Sequence, residues 1–261
     1  MRIGLIGGGN IGKFLLQSIN RDGLLPGGKI VGIYTRNQQS GGQLADEFDT
    51  ENYDDMQSLI QSADIDLVVE AATIQVVKDY SAAILKSGKD LVLSSVGALA
   101  DVNFYQNLEG ICRDSDTKIH LPAGAIGGLD VLKAAKSVGE LKSVSIITRK
   151  PPQALPGAPA DREQVMFEGS AAEAIELFPK NINVSIILSL AGLGPGQTGV
   201  KIISDPSVGK NSHSIEATGS FGKLSLQVEN DPMPNNPRTS YLAALSVLSV
   251  LKNIDAVVKV G

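Results

Sequence analysis

Met1-Arg2-Ile3-Gly4-Leu5-Ile6-Gly7-Gly8-Gly9-Asn10-Ile11-Gly12 opens the chain, and its reading decides the fold. An apolar run passes directly into closely spaced glycines and then into Ile11, Phe14, Leu15, Ser18 and Ile19, which share one face at a period near 3.6. The order is strand, tight turn, helix. Gly7, Gly9 and Gly12 stand at the spacing G-x-G-x-x-G. In a dinucleotide site the first makes the turn, the second admits backbone to a pyrophosphate, and the third lets helix and sheet pack closely. The helix N–H groups and positive dipole end would face the phosphates. Gly7, Gly9, Asn10, Ile11 and Gly12 are therefore the candidate cofactor cradle.

The rest of the composition agrees with a buried parallel sheet. Of 261 residues, 43% are hydrophobic but only 4% aromatic, with no Trp, so the core is aliphatic. A net charge of −5 with scattered Lys and Arg argues against nucleic acid and for a small metabolite. The single Cys112 rules out an internal disulfide and fits a reducing compartment. With no basic cluster beside it, that thiol reads as inert. No run reaches the ~20 apolar residues of a membrane span, and glycines interrupt the opening strand where a signal peptide would continue. A cytoplasmic protein with no membrane partner is expected. Two distant histidines and one cysteine make no metal set.

Lys29 to Tyr34 reads as a second buried strand. An acid after it would take the ribose 2′-hydroxyl of NAD, whereas an Arg suits the 2′-phosphate of NADP. The residues there are Thr35-Arg36-Asn37, so both cofactors are expected with NADP favoured. Further strands at Asp66 to Ala72, Lys89 to Ser95 and Thr117 to Leu121 alternate with helices at about Ile74 to Lys86 and Asp101 to Ser115. Ala72, at the end of the first of these runs, joins the candidate cofactor contacts. Small residues from Ser94 to Ala98 leave room at the strand ends for the nicotinamide half.

The fold class expected is α/β, an N-terminal doubly wound Rossmann domain (1–121) with a C-terminal α+β substrate domain (122–240). The Gly-rich Pro122 to Asp130 is the candidate hinge. Val144 to Lys150 reads as a strand, Pro151 to Pro159 as a loop, and Ser170 with Glu173 as a capping box opening a helix. A second helix spans about Asn181 to Ala191. Strands follow at Val200 to Ser204, Ser214 to Thr218 and Leu224 to Val228, the last alternating apolar and polar as a half-wet antiparallel sheet does. That sheet offers a surface for a homodimer. Residues 241–261 form a helix with a wide apolar face, expected to pack back on the N-terminal domain.

Few residues bring chemistry. His120 lies inside a strand and reads as hydrogen-bonded and structural. His213 follows the polar stretch Asp205 to Ser212, read as a loop, where an imidazole with a pKa near ~6.5 would exchange protons at neutral pH. Asn183, at a helix start, suits a nicotinamide amide or a cap. Arg149, Lys150 and Arg238 are the cations nearest loop mouths. Lys150, Asn211, Arg238 and Thr239 are the candidate substrate contacts.

Motifs along almost the whole chain resemble the L-aspartate dehydrogenases: GGGNIG at Gly7 to Gly12, VVEAA at Val68 to Ala72, SVGAL at Ser95 to Leu99 and LPAGAIGGLD at Leu121 to Asp130. TRKPP at Thr148 to Pro152, FPKNINV at Phe178 to Val184, LAGLG at Leu190 to Gly194, ISDPSVGKNSHSI at Ile203 to Ile215 and NPRTSYLAALS at Asn236 to Ser246 continue the likeness. The resemblance implies oxidation of L-aspartate with NAD or NADP to iminoaspartate, which yields oxaloacetate and ammonia or enters NAD biosynthesis through quinolinate. It matches His213 to the family's catalytic histidine, and Ala125 and Asn183 to cofactor-contacting positions. Two positions depart from the pattern. Ala123 stands where many members have Ser, and Thr35-Arg36 where an acid is frequent. The same layout also suits homoserine or a dihydrodipicolinate-like imine as substrate, or a non-catalytic NADP-sensing protein.

Overall fold

The computed structural model describes residues 1–178, 182–233 and 236–259, with side chains throughout except at 236–238. It divides into two compact units, Met1–Pro122 with the C-terminal helix from Ala244, and Ala123–Ala243.

In the first unit the strands are β1 (Arg2–Ile6), β2 (Lys29–Tyr34), β3 (Glu51–Asn52), β4 (Leu67–Glu70), β5 (Asp90–Leu93) and β6 (Ile119–His120). They form one parallel sheet in the order β3-β2-β1-β4-β5-β6. The order reverses between β1 and β4, the point at which doubly wound sheets bind ligands outside their carboxyl ends. The expected α/β architecture is the one found. Between strands run α1 (Asn10–Leu16, continued by a π-turn to Arg21), α2 (Gln38–Phe48), α3 (Met56–Gln61), α4 (Ile74–Lys86) and α5 (Val102–Ser115). Asn37, Asp55, Thr73 and Asp101 cap the last four through side chains that accept backbone N–H groups. The apolar periodicity had not shown α2, β3 or α3. In Gln-Gln-Ser-Gly-Gly-Gln-Leu-Ala-Asp-Glu-Phe only Gly41, Leu44, Ala45 and Phe48 are buried, a narrow stripe of few large side chains. The core joins Ile3, Leu5, Ile30, Ile33, Leu67 and Val69 to Val247, Leu248 and Leu251 of the C-terminal helix.

The second unit contains α6 (Leu129–Ser137), β7 (Leu141–Lys150), β8 (Gln164–Ser170), α7 (Ala171–Leu177), α8 (Asn183–Ala191), β9 (Thr198–Ser204), β10 (Asn211–Gly219), β11 (Gly222–Asn230), β12 (Pro232–Met233), β13 (Asn236–Ser240) and the start of α9 (Tyr241–Ile254). Five strands make a mixed sheet, β11-β10-β7-β9-β8, in which only β7 and β9 are parallel. Ser170 and Glu173 form the capping box that opens α7. On β7 and β10 the buried positions alternate: Val144, Ile146, Thr148 and Lys150 on one strand, Asn211, His213, Ile215 and Ala217 on the other. Strand β8 was not expected, and β7, β9, β10 and β11 each begin two or three residues earlier than the sequence suggested. β8 begins within a stretch with no clear alternation, and β10 starts three residues before Ser214 because buried polar side chains extend it. Among the described residues no helix is long and apolar enough to cross a membrane.

Candidate active site

The glycines of the opening turn carry different constraints. Gly7 has φ 108°, and a Cβ there would lie 2.5 Å from the Ala71 carbonyl oxygen. A Cβ on Gly12 would stand 2.0 Å from the Gly7 carbonyl oxygen, so α1 meets the turn backbone to backbone. A Cβ on Gly8 would meet Leu44 at 2.7 Å and Thr35 at 2.9 Å, a constraint the G-x-G-x-x-G pattern does not express. Only Gly9 faces open space, with nothing within 4 Å of its would-be Cβ. Gly7 and Gly12 are required by backbone contacts, Gly8 is crowded by side chains, and Gly9 leaves room beside the turn. That is the arrangement a pyrophosphate needs, and these residues fit a dinucleotide.

Asn10 and Ile11, both half-buried, begin α1. Beyond β2, Thr35 is buried and its hydroxyl donates to the Asn37 carbonyl at 2.7 Å, while Arg36 is exposed. Ala72 is exposed after β4, and its N–H donates to Glu70 Oε1 at 2.7 Å.

Glu70 had not been singled out. Its carboxylate is buried and also accepts the Ser95 N–H and the Ser95 hydroxyl, each at 2.9 Å. Burial raises its pKa, and donated hydrogen bonds from Ser95 and Ala72 oppose the rise. Because all three partners donate, they suit the ionised form. The group braces the backbone after β4 against the backbone after β5, where the nicotinamide half of a dinucleotide lies in such sheets. A glutamate ending an all-buried strand was the available signal.

In the second unit, His213 is not in a loop. It is an interior residue of β10, 2% exposed, and its Nδ1 pairs with Thr148 Oγ1 at 2.9 Å. Burial, followed by the charge of nearby Lys150, lowers its pKa to about 3, in place of the near-neutral value expected for a loop histidine. The side chain is therefore a neutral imidazole here. Lys150 is the buried last residue of β7, where the strand gives way to the loop at Pro151, and burial lowers its pKa to about 8. Asn211 is buried on the same face of β10.

Asn230 donates from Nδ2 to the Ala125 carbonyl at 3.1 Å, which fixes its amide orientation and places Oδ1 as a buried acceptor without a partner. Ala125 is itself buried. Asn183 is the half-buried first residue of α8; the N-cap is Ile182 and no side chain caps that end. Thr239 is half-buried in β13, and the side chain of Arg238 lies outside the described residues. Arg149 is engaged by Asp205 at 2.6 Å and by Glu163, so it serves a structural ion pair. His120 Nε2 lies 3.1 Å from Asp90 Oδ2, the hydrogen-bonded role its strand position suggested. Cys112 is half-buried, and burial raises its thiol pKa, which disfavours a reactive thiolate.

The neutral state of His213 has a consequence for stability. A folded-state pKa below the unfolded value means that the unfolded chain binds the extra proton. Its contribution is therefore complete above about pH 6.5 and is lost as pH falls toward 3. Each unit of pH in that window costs about 1.4 kcal/mol at most from this group. Thermal melts of the wild type and His213→Gln between pH 7 and 4 should show the wild type losing more stability than the variant. Parallel losses would contradict the burial argument.

The family described as "Aspartate dehydrogenase, C-terminal" matches residues 130–254, and "Homoserine dehydrogenase, NAD binding domain" matches residues 7–122. L-aspartate dehydrogenase of Methanospirillum hungatei is 41% identical over 261 residues, covering 100% of this chain and 99% of that one. The enzyme of the same name from Methanothermobacter thermautotrophicus is 40% identical over 261 residues, covering 100% and 98%. The crystal structure of aspartate dehydrogenase from Thermotoga maritima superposes with a TM-score of 0.82 at 32% identity, covering 100% of this chain and 99% of that one.

Proposed function

The chain belongs to the L-aspartate dehydrogenase family, and from that premise we propose that it oxidises L-aspartate to iminoaspartate with a nicotinamide dinucleotide, water then giving oxaloacetate and ammonia. The observation that carries this reading is full-length similarity to enzymes of that name, joined to a glycine turn with room only at Gly9. The homoserine dehydrogenase likeness is confined to residues 7–122, so it supports the cofactor and not that substrate.

A dinucleotide held at Gly7, Gly9, Asn10, Ile11 and Gly12, with Ala72, Ala125 and Asn183 as further contacts, would supply in its nicotinamide the acceptor for the hydride on the substrate Cα. The remaining work is proton transfer, and His213 is the group for it. In the tautomer whose Nδ1–H donates to Thr148 Oγ1, 2.9 Å away, Nε2 carries the free lone pair. It takes a proton from the water that adds to the imine carbon, and returns a proton to the departing amine. A dicarboxylate substrate brings two negative charges, which raise the imidazole pKa from its low ligand-free value toward the working range. Lys150, Asn211, Arg238 and Thr239 are the substrate contacts of this reading.

The reverse direction tests the reaction: oxidation of the reduced cofactor should require oxaloacetate and ammonia together. Oxidation with either alone would contradict it.

NADP is the favoured cofactor, with NAD also used, because an exposed Arg36 stands where an acid would select NAD. Arg36→Glu should raise KM for NADP by roughly tenfold or more, the worth of a charge-assisted contact, and leave KM for NAD within about twofold. Equal changes for both cofactors would remove Arg36 from that role. A homodimer, with association through the five-stranded sheet, and a cytoplasmic location complete the reading; sedimentation gives the first directly.

A further inference from the structure

We propose that Ser204 and Lys150, with Asn211 beside them, form the seat for one carboxylate of the substrate, and that Ser204 is a substrate-binding residue. The inference deepens the aspartate reading and rests on it. Lys150 and Ser204 are register partners on parallel β7 and β9, so their side chains leave the sheet on the same face. Ser212 lies opposite Arg149 across β10 and β7, which brings Asn211, the next residue, beside Lys150. Three neighbouring strands thus present serine, lysine and asparagine in one transverse row, with adjacent Cβ atoms roughly 5 Å apart. Two residues along the same face lie the hydrogen-bonded Thr148 and His213.

All three members of the row are buried, Ser204 completely. Its hydroxyl oxygen has no hydrogen-bond partner. A buried hydroxyl without a partner destabilises a fold, and Lys150 brings an ammonium group to the adjacent place in the row. A buried hydroxyl kept without a partner, in a row with other donors, is what a ligand would complete. Lys150 and Ser204 both donate, and the Asn211 carboxamide adds N–H donors. The nearest acid in sequence, Asp205, is held by Arg149 at 2.6 Å and by the Ser207 N–H and hydroxyl at 2.8 and 2.6 Å. The chemistry that answers such a row is a compact anion with several acceptor lone pairs. In a dehydrogenase of a dicarboxylic amino acid, that anion is a carboxylate.

Ser204→Ala in the full chain separates this role from a structural one. Removal of an unpartnered buried hydroxyl should leave the thermal midpoint unchanged or raised. KM for L-aspartate should rise roughly tenfold, exceeding any fall in kcat, and Ser204→Thr should recover most of the loss. Succinate, a dicarboxylate that cannot be oxidised at an amine, should raise the wild-type midpoint and do so less in Ser204→Ala. An unchanged KM with an unchanged succinate shift overturns the seat, as does a lowered midpoint with kcat and KM moving together. If the wild type reduces no cofactor with aspartate yet succinate stabilises it in a Ser204-dependent way, the seat stands and the aspartate reading falls. If aspartate is oxidised with the same KM by both proteins, the reading stands and the seat falls.

Discussion

Replacing His213 with alanine is expected to lower kcat by roughly 10²–10⁴-fold, the usual worth of a positioned proton-transfer group. The imidazole is buried on β10 and paired to Thr148, so its neutral form and ring orientation are set before substrate arrives. A group that moves a proton acts mainly on kcat, whereas one that only binds substrate acts on KM. A change confined to KM would make His213 a binding residue. Because the side chain is buried, its removal also disturbs packing, and thermal melts of each variant must accompany the kinetics. Thr148→Val gives a second, gentler view. It removes the hydroxyl that holds Nδ1 while preserving shape, and should reduce kcat less than His213→Ala does.

The second large effect is expected at the opening turn. Gly12→Ala would place a methyl 2.0 Å from the Gly7 carbonyl oxygen. Both partners are backbone, so neither rotates away, and the first unit should lose about 3 kcal/mol or more of stability. Gly9→Ala provides the contrast, because nothing lies within 4 Å of its Cβ position. That variant should fold with an unchanged thermal midpoint and bind cofactor roughly tenfold or more weakly, since the methyl takes the space reserved for the pyrophosphate. Calorimetric titration with NADP beside a melting curve separates the two. Equal cofactor affinity in Gly9→Ala and wild type would contradict the cradle.

The contrast between those glycines shows what the sequence made legible. Their spacing, the apolar runs and the breakers were enough to expect a doubly wound sheet followed by an α+β region, because buried parallel strands are unambiguous in a chain with few aromatics. The sheet edge beyond β2 was not legible. α2 buries mostly small residues and β3 has only two residues, so neither has a strong period. The start of β10 was hidden for the opposite reason. Asn211 and His213 occupy buried positions, and polar residues in a row read as a loop until register with β7 places them inside. The same blindness concealed Ser204 and Glu70, whose importance lies in burial and partners. Arg149 was one of the cations placed nearest loop mouths, but Asp205 and Glu163 engage it, a long-range pairing no local pattern expresses. His213 was singled out by its polar stretch and by the resemblance to the family, and it lies inside β10 and not in the loop that stretch suggested.

Aspartate oxidation is proposed to be coupled to cofactor reduction through His213, a neutral, buried histidine. The direct measurement is L-aspartate-dependent formation of NADPH and NADH, followed side by side on the wild type and on folded His213→Ala. The wild type should reduce both cofactors, faster with NADP, and the variant should do so at a rate lower by at least about a hundredfold. No aspartate-dependent reduction by the wild type, or a variant as fast as the wild type, would contradict it.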